Sequence, residues 1–411
     1  MKNIYKYFII FTLVACTKTI DPPILEQPIE NPPEIIFYEP VESNQANTEF
    51  KPAFVGQTRI SGIKTTSVYS TTLITESLIS PWGIDVLPDG AFVITERYGS
   101  LRIINVKGEI SPSIYGFPSV NSSEQGGLLD VLVSEDFNES RMLYFTLAEK
   151  TPNGSLTAVG KGRLADDLSM IENFEIIYRA YPYFSGNNHY GSRIVFDNEG
   201  NLFVSTGDRQ SLETRPNAQN IENGHGKILH ITTDGKPVDT NPYYLQANAH
   251  QEIFSIGHRN VQGLAVHPIT GELWANEMGP QGGDELNRIE LGKNYGWPII
   301  SYGEEYNGTP VGDGLTVLDG LEQPVYYWDP VIAPSGMIFY NSDVIPEWEN
   351  NLFIGGLKGQ HIIRLLIEDN KVIGEERLLE SEGQRFRDLT VGLDGALYAI
   401  TDSGRLYRVG K

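Results

Sequence analysis

From about residue 67 the chain alternates apolar and polar positions in short runs, and each pair of runs is broken by a tight polar turn. Gly83-Ile84-Asp85-Val86-Leu87 passes through Pro88-Asp89-Gly90 into Ala91-Phe92-Val93-Ile94-Thr95, and Leu101-Arg102-Ile103-Ile104 follows. Period-two alternation around a Pro-Asp-Gly break predicts two strands of a hairpin and then a third. The unit returns at Arg193–Phe196 with Asn201–Val204, at Gly263–Val266 with Glu272–Trp274, and at Asp388–Val391 with Ala396–Ala399. Weaker copies run from Leu128 to Phe145 and from Met337 to Ile354. The turn markers fall near residues 89, 136, 199, 270, 349 and 394, which makes six units.

Antiparallel units at this irregular spacing predict an all-β fold, a six-bladed β-propeller of four-stranded antiparallel sheets with insertions between strands. Radial closure of that kind removes exposed sheet edges. The last unit shows three strands, ending at Leu406–Val409, and the strand near Ser67–Thr75 is placed to supply the fourth. A β-sandwich with long loops is the alternative. No amphipathic helical run is long enough for a second domain, so residues 51–411 read as a single propeller domain.

Upstream the pattern changes. Lys2 precedes an apolar run over residues 4–15, which ends in Leu13-Val14-Ala15-Cys16, and Cys16 is the only cysteine. The run is too short to span a bilayer and reads as an export leader. Leu-Val-Ala-Cys resembles a bacterial lipobox, so residues 1–16 are expected to be a lipoprotein signal peptide with Cys16 as the lipid-bearing residue. Residues 17–50 carry Pro22, Pro23, Pro28, Pro32, Pro33 and Pro40 and read as a flexible tether. The expected address is an exported, lipid-anchored bacterial membrane protein facing the periplasm, touching the membrane by its anchor alone. Net charge is −22, from 53 acidic and 31 basic residues. That balance argues against nucleic acid as a partner, because phosphate binding needs a basic surface.

The candidate chemistry lies in the loops between units. His189 sits in Gly186-Asn187-Asn188-His189-Tyr190-Gly191, and Asp208 closes the same hairpin, so the two can meet across the paired strands. An aspartate beside a histidine fixes its tautomer and favours its protonated form. In Gly257-His258-Arg259-Asn260, Arg259 can face a developing oxyanion and Asn260 can position a carbonyl. Glu277-Met278-Gly279-Pro280-Gln281-Gly282-Gly283 leaves carbonyl oxygens free for a hard cation such as calcium. Lys358, with Arg385 and Arg387 in Arg385-Phe386-Arg387-Asp388, points to an anionic ligand. Against these stand plainer readings: a structural loop histidine, a hydrogen-bonded loop anchor, a solvated salt-bridged face.

Taken in order, the motifs resemble the soluble PQQ-dependent glucose and aldose sugar dehydrogenases, the glucose/sorbosone dehydrogenase family. The resemblance runs from about residue 54 to the C-terminus. It is carried by Phe54–Arg59, Ile94–Arg97, Gln125–Leu129, His189, Gly207-Asp208, His258–Asn260 with Gln262-Gly263, Ala333–Gly336, Leu357-Lys358 and Arg385–Asp388. It implies a six-bladed propeller that oxidises the C1 hydroxyl of an aldose to the lactone, with hydride passing to calcium-bound PQQ. It implies His189 as general base, Asp208 as the carboxylate that orients it, and Arg259 beside the reactive quinone carbonyl. Gln125, His189, Arg259, Asn260, Lys358, Arg385 and Arg387 are implied cofactor contacts, and Gly279 and Pro280 implied calcium ligands through their carbonyls. Met278 departs from the family, which usually has Gln or His there. The electron acceptor would be an external quinone or cytochrome, since one cysteine excludes a Cys-x-x-Cys-His haem site in this chain. Two other classes stay open: a non-catalytic propeller lipoprotein that binds glycans or a protein, and a calcium-dependent lactonase.

Overall fold

The computed structural model describes residues 35–411. The leader, Cys16 and the first half of the expected tether lie outside the described residues. Six antiparallel sheets are present. The first blade comprises Pro81–Val86, Phe92–Glu96 and Ser100–Ile104, the second Leu128–Val133, Met142–Thr151, Gly154–Leu164 and Ile171–Arg179. The third is Gly191–Phe196, Leu202–Thr206, Lys227–Ile231 and Ile253–Ile256, the fourth Val261–Val266, Leu273–Glu277, Asp284–Ile289 and Tyr326–Trp328. The fifth is Pro334–Phe339, Leu352–Gly356, Ile362–Glu368 and Lys371–Leu378. In the sixth, Phe386–Val391, Leu397–Thr401 and Leu406–Gly410 are completed by Ser70–Thr75, which pairs Ser70 with Gly410 and Leu73 with Tyr407. The two ends of the propeller sequence thus share one sheet and close the ring.

The first blade departs from the four-stranded expectation. Its outer strand meets only two isolated bridges, Leu101 with Ile114 and Ile104 with Ile110. Pro112 stands between those bridging residues and has no N–H to continue a ladder. The edge is therefore covered without a regular fourth strand.

The second strand of most blades is buried at every position, as in Phe92–Glu96, Leu202–Thr206, Leu273–Glu277, Leu352–Gly356 and Leu397–Thr401. Each is sandwiched between neighbouring blades, so polar and apolar positions are buried alike. The core is correspondingly a ring of interfaces rather than one centre. Val93 and Leu101 pack with Leu128 and Phe145, Phe203 and Ile228 with Val261 and Ala275, and Ile94 and Phe92 with Tyr398 and Ile400.

Polar contacts join the inner strands at the axis. Arg193 Nη1 donates to Asp130 Oδ1 at 2.9 Å and to Asp388 Oδ2 at 2.6 Å, and Nε donates to Gln262 O at 3.0 Å. The guanidinium lies 4.3 Å from the Trp82 ring centroid. One buried side chain thereby joins its own blade to four others. The carboxylates reach further: Asp130 Oδ2 accepts from Ile194 N and Asp388 Oδ2 from Ile84 N, both at 3.0 Å. The approach depends on missing side chains. A Cβ on Gly83 would lie 2.6 Å from Asp130 Oδ1, and one on Gly336 only 1.8 Å from Asp388 Oδ1.

The expected tether docks earlier than residue 50. Tyr38 pairs with Gly62, Glu42 forms a 2.8 Å ion pair with Arg377, and Thr48 is seated on Asp329. Proline excludes regular elements here, but it does not prevent the segment's main chain and polar side chains from finding partners on the propeller. No helix among the described residues is long and apolar enough to cross a membrane.

Replacing Arg193 by Met should lower the unfolding free energy by about 3–5 kcal/mol, because two buried carboxylates lose their cation. Urea denaturation of the two proteins measures it; an unchanged midpoint would show that the axis does not depend on this contact.

Candidate active site

At one mouth of the channel two adjoining cavities, of about 250 and 390 Å³, share Gln125, Met278 and Ala333 in their walls. The smaller is lined by Asn260, Arg385 and Arg387, the larger by His189, Arg259, Gly279, Pro280 and Lys358. Residues from seven segments that are distant in sequence therefore face one cleft. Asp208 lies directly behind it.

His189 precedes the inner strand of the third blade and holds a left-handed backbone at φ 48°. Strain of this kind persists only where surroundings over-determine it. Here Gly207 is one cause of the fit, since a Cβ on it would lie 2.2 Å from His189 O. His189 Nδ1 is 2.7 Å from Asp208 Oδ1, and Gln125 Oε1 accepts from His189 N at 2.9 Å. Asp208 is itself fixed. Trp297 Nε1 donates to its Oδ2 and Gln210 N to its Oδ1, both at 2.8 Å.

The net electrostatics differ from the simple expectation for an Asp–His pair. Burial, followed by the Arg259 charge, pushes His189 down to about 4, and the Asp208 hydrogen bond only partly opposes this. Burial would raise Asp208, yet the His189 hydrogen bond and the Arg259 charge hold it below its ordinary value. The ring is thus neutral near pH 7. Assigning the Nδ1 proton from its carboxylate partner leaves the Nε2 lone pair as the free basic position.

Arg259 donates through Nη1 to Met278 O and Gly279 O, each at 2.8 Å, and its main-chain N donates to Glu277 Oε2 at 2.6 Å. Its buried Nε has no hydrogen-bond partner. Asn260 Oδ1 accepts from Gly191 N at 3.2 Å and Gln262 Nε2 at 3.3 Å, which fixes the carboxamide. Gly279 is held from its other side, where N donates to Asp284 Oδ1 at 2.8 Å. Asp284 Oδ2 accepts from Ile332 N and Ala333 N, so this carboxylate ties the Gly279 turn to the next loop. Among the described residues no cluster of three or more His, Cys, Asp or Glu side chains is placed to hold a metal. A cation at this wall would rest on main-chain oxygens.

Arg385 and Arg387 share one carboxylate. Arg385 Nε donates to Asp402 Oδ2 and Arg387 Nε to Asp402 Oδ1, both at 2.8 Å. Burial would raise Asp402, but its two arginines hold it below the ordinary range. Lys358 is exposed, and its ammonium makes no ion pair among the described residues. Arg97, Arg259, Lys358, Arg385 and Arg387, against Glu124, Asp284 and Asp402, leave the cleft a surplus of positive charge in an acidic protein.

The Glucose / Sorbosone dehydrogenase family pattern matches residues 78–408. The chain belongs to that family. Aldose sugar dehydrogenase YliI of Escherichia coli (strain K12) is 42% identical over 342 residues, covering 82% of this chain and 91% of its relative. A crystal structure of a glucose dehydrogenase shares 42% identity at a TM-score of 0.81, covering 83% of this chain and 99% of the other. The PQQ-bound form of an aldose sugar dehydrogenase from Streptomyces coelicolor shares 25% identity at a TM-score of 0.69, covering 84% and 99%.

Several residues of this family member escaped the sequence reading. Trp297 and Asp402 orient the flagged side chains, Trp82 and Tyr190 line the smaller cavity, and Asn47 lines the larger. Asp402 carried a readable signal. Glu96 and Glu277 end second strands, while Asp208 and Asp402 follow the ends of theirs, so an acidic residue at that position recurs at the mouth. Trp297 had none, because it lies in an irregular segment far from Asp208 in sequence.

In ¹⁵N NMR of the protein without ligand, the His189 ring should be the Nδ1–H tautomer with a titration midpoint near 4. Because burial lowers the value, the ring stays uncharged through neutral pH and gains its proton only as pH falls toward 4. A midpoint above 6.5 would contradict the balance of burial and Arg259 over Asp208.

Proposed function

We propose that the protein is a PQQ-dependent aldose sugar dehydrogenase, oxidising the C1 hydroxyl of an aldose to the lactone. The observation that carries this reading is the shared cleft: a neutral, carboxylate-oriented histidine faces the space lined by Lys358 and the Gly279–Pro280 turn, and that space joins the one lined by Arg385 and Arg387. Three cations suit a ligand bearing several carboxylates, and arginine forks suit planar carboxylates in particular. The unpartnered Arg259 Nε, buried at the same wall, is a donor without an acceptor in the protein. Pro280 O, with the remaining lone pair of Gly279 O, suits a hard cation. The residues present thus fit PQQ and calcium.

When bound, PQQ polarised by calcium supplies the electrophilic carbonyl that accepts hydride. The protein does the rest. His189 Nε2 takes the proton of the anomeric hydroxyl, and Asp208 stabilises the imidazolium as that proton arrives. Trp297 and Gln210 keep the Asp208 carboxylate aimed at Nδ1 throughout. Arg259, pinned to Met278 O and Gly279 O, places positive charge where negative charge develops. Gln125, Asn260, Lys358, Arg385 and Arg387 hold the cofactor. A lactonase on this scaffold would need free carboxylates around a central metal; the axial pair Asp130 and Asp388 is instead taken up by Arg193.

Electrons leave to an external quinone or cytochrome. Residues 1–16 serve as a lipoprotein signal peptide and Cys16 carries the lipid anchor, with the propeller on the periplasmic side.

Two variants separate the roles. His189→Gln should lower kcat on the order of 10²–10⁴-fold while leaving PQQ affinity nearly unchanged. Arg385→Ala with Arg387→Ala should do the reverse, weakening PQQ binding measured by calorimetry at fixed calcium. Near-wild-type turnover in the first variant, or equal affinity in the second, would remove those residues from the roles assigned.

A further inference from the structure

The larger cavity has a wall that the family match does not include. Asn47 lines it, together with Tyr306 and His189. The match begins at residue 78, so Asn47 comes from outside it. The segment that carries Asn47 is seated rather than loosely draped. Asp329 accepts from Asn47 N at 2.6 Å, from Thr48 N at 3.0 Å and from Thr48 Oγ1 at 2.7 Å. Arg59 clamps the same stretch, donating to Glu42 O, Asn44 O and Asp329 O at 3.1, 2.8 and 2.7 Å. The Glu42–Arg377 ion pair, with both side chains about nine-tenths buried, ties its start to the fifth blade.

We infer that Asn47 is a specificity-determining residue that binds a hydroxyl of the aldose. The inference rests on the aldose reading above. Asn47 Oδ1 lies 3.4 Å from Val331 N, a long contact that turns the carbonyl side of the carboxamide toward the protein. The Nδ2 atom is left with its donors, and no hydrogen bond uses them among the described residues. An amide offers directed hydrogen bonds without charge, which suits a polyol. The carboxylates of an anionic cofactor already have cations in the other walls. Tyr306, 68% exposed at the same cavity, offers a ring face beside it. Asn47, exposed on the wall of the cavity that His189 also lines, can meet a sugar held at that histidine, and its reach selects among aldoses by where their hydroxyls stand.

The test uses the full-length protein with PQQ and calcium. Asn47→Ala should raise KM for the best aldose about 3- to 10-fold, the loss of one neutral hydrogen bond, with kcat within about twofold. The increase should differ between epimeric aldoses. Asn47→Asp keeps the Oδ1 acceptor but removes the donors, and should behave like the alanine variant. Thr48→Val, which loosens the seat on Asp329, should move KM in the same direction. PQQ affinity by calorimetry should stay unchanged in all three. Saturation-transfer NMR of each aldose with the cofactor-free protein gives a readout independent of turnover, and the signal should weaken in Asn47→Ala. Active variants with unchanged KM and unchanged saturation transfer across the aldose panel would overturn the inference while leaving the dehydrogenase reading intact. A wild-type protein that binds PQQ but neither binds nor oxidises any aldose would overturn the aldose reading, and this inference with it.

Discussion

The architecture depends on the contact of Arg193 with Asp130 and Asp388 at the axis. Six sheets arranged radially share no single core; each interface is a separate apolar layer. Apolar layers fix distance between blades but tolerate sliding, whereas a guanidinium that must meet two carboxylates and a carbonyl does not. The same carboxylates hold main-chain N–H groups of neighbouring inner strands, so the register of one blade is referred to the next. His189 stands four residues before Arg193, just ahead of the inner strand that carries the arginine. The axis that sets the blades therefore also sets the height and angle at which the histidine enters the cleft.

From that axis the site is built outward by a repeated device. Carboxylates at or just after the ends of second strands hold the groups that face the ligand. Asp208 aims His189, Glu277 holds the Arg259 main chain, and Asp402 spreads Arg385 and Arg387 into a fork. Each is buried enough that its partner is constrained, and the rigid strand beneath supplies the precision that loops lack. The electrostatic consequence is opposite in sign at the two ends of the cleft. Around His189 burial and Arg259 keep the ring neutral, with Nε2 free to accept a proton, while around Asp402 two arginines leave net positive charge. A proton acceptor and an anion cradle are thereby held in adjoining cavities without neutralising each other.

Much of this was legible in the sequence, for physical reasons. Period-two alternation and Pro-Asp-Gly turns reflect the pleat and the hairpin, so the six units and the closing strand at Ser70–Thr75 could be read directly. Loop residues with unusual chemistry stood out because nothing in a strand requires a His beside glycines or alternating arginines. The three-stranded first blade was not legible, since it follows from one proline at one edge. The docked segment at 38–48 was hidden because proline content reports on regular structure, not on hydrogen bonds to a distant Asp329. The low basicity of His189 was hidden for a similar reason: Asp208 is near it in sequence, but the burial and the Arg259 charge that outweigh it exist only once the blades have assembled.

The most direct measurement is whether the cleft makes a redox enzyme when its cofactor is supplied. Purified protein stripped with chelator should be inactive; PQQ and calcium together, with an artificial electron acceptor, should restore oxidation of an aldose to its lactone. Neither addition alone should suffice. Saturable, calcium-dependent turnover of at least one aldose is the predicted result. A protein that binds PQQ and calcium yet reduces no acceptor with any hexose, pentose or disaccharide would contradict it.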